Sequence, residues 1–139
     1  MSSLHIDVVT AEKVVLTGEA DAVIAPGREG QLGILPQHAP LMTSLAPGEL
    51  LIRTGNKEEI LAISGGFIEV RPDRVIVLAD QAERAEDIDV NRAEAARKRA
   101  EESLKDYSST EEAQADAALR RVLVRLSVAE KVRTRKNRI

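Results

Sequence analysis

The sequence predicts an α+β chain: a compact antiparallel β-sandwich or flattened barrel, then an antiparallel αα-hairpin. Two observations carry this. Up to residue 86 the chain is a series of short β-branched runs separated by Gly and Pro. From residue 88 to residue 139 it is rich in Ala, Glu and Arg and contains neither Gly nor Pro. Strand runs followed by helices, rather than alternating with them, give an α+β fold or two small domains. The boundary is expected at 86/87, with residues 1–86 as the sandwich and residues 87–139 as the helical part. The run Ile88-Asp89-Val90-Asn91-Arg92-Ala93 stands at that joint and offers a carboxylate and a guanidinium three positions apart.

The strands follow from alternation and turn chemistry. Candidate runs are residues 4–9, 13–16, 20–25, 41–45, 49–53, 60–63, 67–70 and 74–79. In Leu4-His5-Ile6-Asp7-Val8 the apolar positions 4, 6 and 8 face one way, as a period of two requires, and His5 falls on the polar side. Gly55-Asn56 separates two runs as a hairpin signal. Pro72-Asp73 does the same, with Pro presetting φ at the first turn position. Ser64-Gly65-Gly66 reads as a tight bend entering the strand at Phe67. Residues 26–40 hold three Gly and three Pro and are expected to form a structured loop anchored by Leu32, Ile34 and Leu35.

The helices follow from a period of 3.6. Asp87 or Asp89 can cap the first, which is expected to run to about Lys105 with Ala93, Ala96, Ala100 and Leu104 on its apolar face. Residues 106–110 break the pattern. Ser109 with Glu112 makes a capping box for the second helix, whose apolar face is Ala115, Leu119, Val122, Leu126 and Ala129. A five-residue connection favours an antiparallel pair. An Ala seam buries little area, at roughly 25 cal/mol per Å², so such a hairpin opens without a large penalty.

Composition narrows the function. With 139 residues the chain is one ordinary domain or two small ones. Phe67 and Tyr107 are its only aromatic residues, so the core is aliphatic. It has no Cys, which excludes disulfides and thiolate metal sites. No secretory signal is visible at the N-terminus, and no apolar run approaches the ~18 residues of a membrane span. Charge is unevenly spread. Residues 1–87 carry seven basic and fourteen acidic side chains, whereas residues 112–139 carry eight and three. That separation suits a last segment that meets an acidic surface, or simply a solvated helix face. A nucleic-acid partner is not expected, because the chain is acidic overall and lacks a stacking platform.

No catalytic motif is present. There is no GxxxxGK[ST] loop and no GxGxxG after a strand, and Ser64 lacks the first Gly of a nucleophile elbow. His5 and His38 are isolated, without metal-ligand spacing, and His38 reads as a hydrogen-bonding loop residue. The arginines are more informative. Asp89 and Arg92 lie near the start of the first helix, with Arg99 seven residues on, and Arg121 and Arg125 are four apart on the second. Such guanidinium groups from both helices could converge on phosphate oxygens, with an Asp accepting from an adenine amino group. The other reading is exposed ion pairing with Glu83, Asp89 or Glu94, which the spacing alone favours.

These segments together resemble the epsilon subunit of bacterial F-type ATP synthases. The resemblance rests on residues 30–41, on Ser64-Gly65-Gly66-Phe67-Ile68-Glu69-Val70, on Val77-Leu78-Ala79-Asp80, on Ala82-Glu83-Arg84-Ala85, on the motif at residues 88–93, and on Leu126-Ser127-Val128-Ala129-Glu130. It implies a ten-stranded β-sandwich followed by an αα-hairpin. It implies a non-catalytic central-stalk subunit that couples rotation to ATP synthesis and binds the gamma subunit and the rotor ring of c subunits. The loop residues Gln31, Leu32 and His38 are the implied ring contacts, and Gln31 stands where some relatives carry an acidic residue. The resemblance further implies helices that can extend toward the catalytic alpha/beta subunits and inhibit ATP hydrolysis. It places the complex on the cytoplasmic face of the bacterial plasma membrane, with membrane contact only through the assembly.

Some members of that family bind ATP in the closed hairpin. The matching positions here are Ile88, Asp89, Arg92 and Ala93, with Arg99, Arg121 and Arg125, and with Glu83 just upstream. ATP is then a regulatory ligand, and no cofactor is required. The tail at residues 131–139 is longer and more basic than the family's usual ending. Two other classes of function fit the residues: an ATP-sensing module, and an unrelated α+β adaptor whose basic tail meets an acidic partner.

Overall fold

The computed structural model describes residues 3–104 and 109–136, with side chains of the last helix described for 113–133. The chain divides into two compact units, Met1–Arg84 and Ala85–Ile139.

Among the described residues the first unit contains eight strands: β1 (Leu4–Val9), β2 (Val14–Ala20), β3 (Ala22–Gly27), β4 (Gly30–Ile34), β5 (Leu41–Thr54), β6 (Lys57–Val70), β7 (Arg74–Ala79) and β8 (Ala82–Arg84). The sheet order is β2-β1-β7-β6-β5-β3-β4, with β8 also paired to β6. All neighbours are antiparallel except β1 and β7.

The count of ten strands is corrected to eight, and β5 and β6 explain most of the difference. Each is 14 residues long and merges two of the expected runs. Thr54 pairs with Lys57, so Gly55-Asn56 is the two-residue turn between them. Along β6, residues 61–63 pair with β8, whereas residues 66–70 pair with β7. The two long strands therefore pass from one layer of the sandwich to the other. The burial phase reverses on the way. Leu61 and Ile63 face the core at odd positions, then Ile68 and Val70 at even ones. Gly65 and Gly66 lie between, with φ of 110° and 133°, where an L side chain is strained. What reads as a bend before a strand is thus a change of face within one. Leu45 and then Leu50 and Ile52 reverse phase in the same way along β5.

Three further boundaries differ from expectation. The segment 26–40 is not loop throughout: β4 forms within it and pairs with β3 from Gly27↔Gly30 to Val23↔Ile34. Its Gly-rich composition hides a strand that has a partner one turn away. The run 20–25 splits between β2 and β3 at Asp21, and β8 is an additional strand. One aliphatic core is shared by β1 to β7, with Leu4, Ile6, Val8, Val23, Leu50, Leu61, Ile68, Val75 and Val77 fully enclosed.

The second unit begins with a 3-10 turn, Ala85–Asp87, followed by α1 (Val90–Ser103) and α2 (Ser109–Lys136), which pack on each other as a hairpin. The helix α1 ends two residues before the expected Lys105. The expected connection at 106–110 and the capping box of Ser109 and Glu112 fall outside the described side chains. Ala93 and Ala100 are buried on α1, and Val122 on α2, as the periodicity requires. Val128 is also fully buried and was not on the expected face. The reason is that α2 has 28 residues against 14 in α1, so it runs past the start of α1 and packs against the 3-10 turn.

Candidate functional site

The helical unit explains its motif one residue at a time. Ile88 is buried, and its N–H closes the 3-10 turn by donating to the Ala85 carbonyl at 3.4 Å. Asp89 is the N-cap of α1: its Oδ1 accepts from the backbone N–H of Arg92 at 3.1 Å. That bond satisfies one of the donors a helix start leaves unpaired. Ala93 is fully buried. Ile88 and Ala93 therefore pack and Asp89 caps, whereas Val90, Asn91 and Arg92 are turned to solvent.

The ion pairs expected for the arginines do not form at Arg92, Arg99 or Arg121. Glu94 is held by Arg97 at 2.8 Å, and Asp89 by the helix cap. Among the described residues, Arg92, Arg99 and Arg121 are exposed and make no salt bridge. Arg125 is half-buried. Helix rise sets their levels. Arg92 stands eleven residues before the end of α1, and Arg121 twelve after the start of α2. At ~1.5 Å per residue both are about 17 Å from the connection. Asp89 and Arg125 lie one turn further out. Arg99 is two turns nearer the connection, about 10 Å from Arg92 along the axis. The hairpin thus brings Arg92 and Arg121 to one level and sets Arg99 apart. Glu83 belongs to the other unit, on β8 opposite Ala62.

The expected ring loop is a tight hairpin and the connection after it. Arg28-Glu29 is the two-residue turn between β3 and β4. Gln31 is exposed beside Pro26, whereas Leu32 packs against the core and serves as an anchor. The following connection is pinned by backbone bonds: Gln37 N–H to Pro72 O at 2.7 Å, and His38 N–H to Leu35 O at 3.2 Å. Gln37 takes a φ of 70°. The His38 Nδ1 lies 2.7 Å from the Ala39 carbonyl, so it carries the proton there and leaves Nε2 open.

A surface that sequence reasoning missed lies on the outer face of β5, β6, β7, β1 and β2. Phe67 pairs with Leu78, Leu78 with Val9, and Val9 with Val14. Directly paired residues point to the same side of a sheet and touch. They form a continuous apolar row about 14 Å wide at ~4.8 Å per strand. Ile76 sits in the next row, and Met42, on β5, opposes Glu69 in that same row. Exposure is large for such side chains: 69% for Met42, 60% for Val14, 58% for Phe67 and 53% for Leu78. Monomeric surfaces rarely leave a contiguous apolar patch open unless it binds something. The signal was present in Arg74-Val75-Ile76-Val77-Leu78-Ala79, which is apolar at both parities although only Val75, Val77 and Ala79 reach the core. Glu69, Asp7 and Thr17 share the row of Met42 and Ile76, and the row beyond it holds Arg74, His5 and Glu19.

A β-sandwich with an open apolar face, joined to a two-helix hairpin and lacking a catalytic motif, defines a binding class of protein. Residues 3–85 match the ATP synthase delta/epsilon chain β-sandwich domain, and residues 86–130 the long α-helix domain of the same chain. The chain belongs to the ATP synthase delta/epsilon family. It is 56% identical over 135 residues to an ATP synthase epsilon chain of Dehalococcoides mccartyi, covering 96% of each chain. It is 53% identical to one of Herpetosiphon aurantiacus, covering 95% of this chain and 98% of that one. Its fold is similar to a chain in the Euglena gracilis mitochondrial ATP synthase OSCP/F1/c-ring structure. There the TM-score is 0.77 at 24% identity, over 86% of this chain and 77% of that chain. It is also similar to one in the Tetrahymena thermophila central stalk/c-ring structure, with a TM-score of 0.66 at 16% identity, over 91% and 96%. An epsilon chain is a structural subunit of ATP synthase and is not itself catalytic.

Proposed function

We propose that this chain is a rotor subunit in the central stalk of a bacterial proton-translocating F-type ATP synthase. Its apolar outer face docks on the gamma subunit, and this face is the observation that carries the reading. A stalk subunit transmits torque and needs a broad contact with an apolar centre, which the row from Phe67 to Val14 supplies, flanked by Met42 and Ile76 in a mixed row with Glu69, Asp7 and Thr17. Gln31 and His38, on the pinned hairpin and its connection, are the proposed contacts with the c ring, with Leu32 as their anchor. The complex is peripheral to the membrane on its cytoplasmic face. No helix among the described residues is long and apolar enough to cross a membrane.

The helical unit is the regulatory part of this proposal. In its closed form Asp89, Arg92, Arg121 and Arg125 bind ATP, supported by Arg99. In an extended form α2 reaches the catalytic alpha/beta ring and restrains hydrolysis. Exposed guanidinium groups at Arg92 and Arg121, at one level of the hairpin and without salt bridges among the described residues, support the ATP site. The basic balance of residues 112–139 supports the extended contact.

Phe67→Asp and Leu78→Asp test the docking face. Both side chains lie outside the core, so the thermal midpoint should move little. Binding to isolated gamma, measured by calorimetry, should weaken at least ~tenfold, as for a central apolar anchor. Unchanged binding in both variants would remove the face from the interface.

A further inference from the structure

The polar rows beside the apolar face contain an arrangement that the stalk function does not use. His5 on β1 stands between two carboxylates. Its Nδ1 is 3.1 Å from Glu19 Oε1 on β2, and its Nε2 is 3.2 Å from Asp7 Oδ1 on its own strand. A neutral imidazole has one N–H and one lone pair, so it can satisfy only one of these acceptors and turns its lone pair on the other. Both contacts are satisfied together only when both ring nitrogens carry protons.

The surrounding groups agree with a cation there. Thr17 Oγ1 of β2 donates to Asp7 Oδ1 at 2.6 Å, and Ser3 Oγ donates to Glu19 Oε2 at 2.8 Å, so both carboxylates are held ionised and aimed. Thr17 Oγ1 also lies 3.5 Å from His5 Nε2. From β7, Arg74 approaches Asp7 Oδ2 at 3.7 Å. Arg71 and Asp73, on the turn before β7, line the same small cavity with His5 and Arg74. Arg71 is turned to Glu69 at 2.8 Å. Asp73 instead binds the His5 backbone N–H through its carbonyl at 2.9 Å.

We infer that His5 is an imidazolium clasp that ties the edge strand β2 to β1 and releases as the proton leaves. β2 is the last strand of the sheet order, so among the described residues its one ladder partner is β1, and the clasp spans that ladder. The sign follows from the direction of each shift. The Glu19 hydrogen bond, aided by Asp7, raises the His5 pKa above its ordinary 6.5. A raised folded value means that the contribution is complete below 6.5 and is lost as pH rises through the folded value. The Thr17 hydroxyl lowers the Asp7 pKa, and the Ser3 hydroxyl lowers that of Glu19. Their contributions are present above the ordinary 3.8 and 4.5 and are lost only in stronger acid. The clasp therefore closes from weakly acidic pH to the raised His5 value and opens on the alkaline side. Because β2 also carries Val14, the outer end of the apolar row would loosen with it. That consequence rests on the docking face proposed above, but the clasp does not.

The test is a ring-nitrogen NMR titration of the full chain, with amide exchange of β2 expressed as protection factors across the same pH range. Both His5 nitrogens should show imidazolium shifts at neutral pH, with a midpoint above 6.5. Protection along β2 should fall as that midpoint is crossed. His5→Gln should abolish this pH dependence, and Glu19→Gln, which leaves the ring in place, should lower the midpoint. A midpoint at or below 6.5 would overturn the clasp. So would a midpoint unmoved by Glu19→Gln, or β2 protection that falls equally in His5→Gln.

Discussion

Gly66 lies against Leu78 so closely that a Cβ on the glycine would stand 2.1 Å from the Leu78 carbonyl oxygen. The two residues belong to β6 and β7, which pair there, and Gly66 has a φ of 133°. Backbone conformation and space thus exclude a side chain at the point where β6 changes layer. Gly66→Ala should destabilise the protein by at least about 2 kcal/mol, from strained φ and overpacking together. Urea unfolding read by far-UV circular dichroism measures this. A midpoint equal to the parent's would show that the corner can relax.

Asp89 has two separable duties, helix cap and proposed ATP ligand. Asp89→Ala should lose the cap at a cost of about 1 kcal/mol in stability and also lose any carboxylate contact. Asp89→Ser should retain the cap and lose only the carboxylate. If ATP binding weakens in both variants while stability falls only in the Ala variant, the carboxylate touches the nucleotide. ATP binding retained in the Ser variant assigns Asp89 to the cap alone.

Arg92→Ala and Arg121→Ala read the ATP site most directly, because both side chains are exposed and their removal leaves packing intact. A lost charge-assisted contact to phosphate costs roughly 1.5–3 kcal/mol, so each should weaken binding by at least tenfold. Calorimetric titration of the full chain with ATP decides it. An affinity that neither substitution changes, or a parent chain that binds no ATP at millimolar concentration, would dispose of the site.

Deleting residues 112–139 should raise ATP hydrolysis by the assembled enzyme without preventing assembly, since the docking face lies in the other unit. Exposed charges are screened beyond about 8–10 Å at physiological salt, so the inhibition removed should weaken with ionic strength. Cysteines introduced at facing Ala positions of α1 and α2 and cross-linked, holding the hairpin closed, should mimic the deletion. Hydrolysis unchanged by both would exclude the helices as the inhibitory element.

The sequence by itself determined everything that depends on neighbours along the chain. Alternation marked Leu4, Ile6 and Val8 as core positions, Gly55-Asn56 made a hairpin turn, and the cap of α1 was narrowed to Asp87 or Asp89, because each needs only a few adjacent residues. The composition break near residue 86 announced a change from strands to helices. The tertiary structure decided what depends on which strand lies next to which. β4 looked like loop because its glycines carry no strand propensity, and only pairing with β3 makes it a strand. The phase reversal along β6 needs the Leu78 carbonyl packed close against Gly66, and the apolar row needs four strands in register. His5 was legible as a polar-face residue. That it stands between Asp7 and Glu19, and so holds a second proton, follows from the β1–β2 pairing, which brings together charges that lie fourteen residues apart.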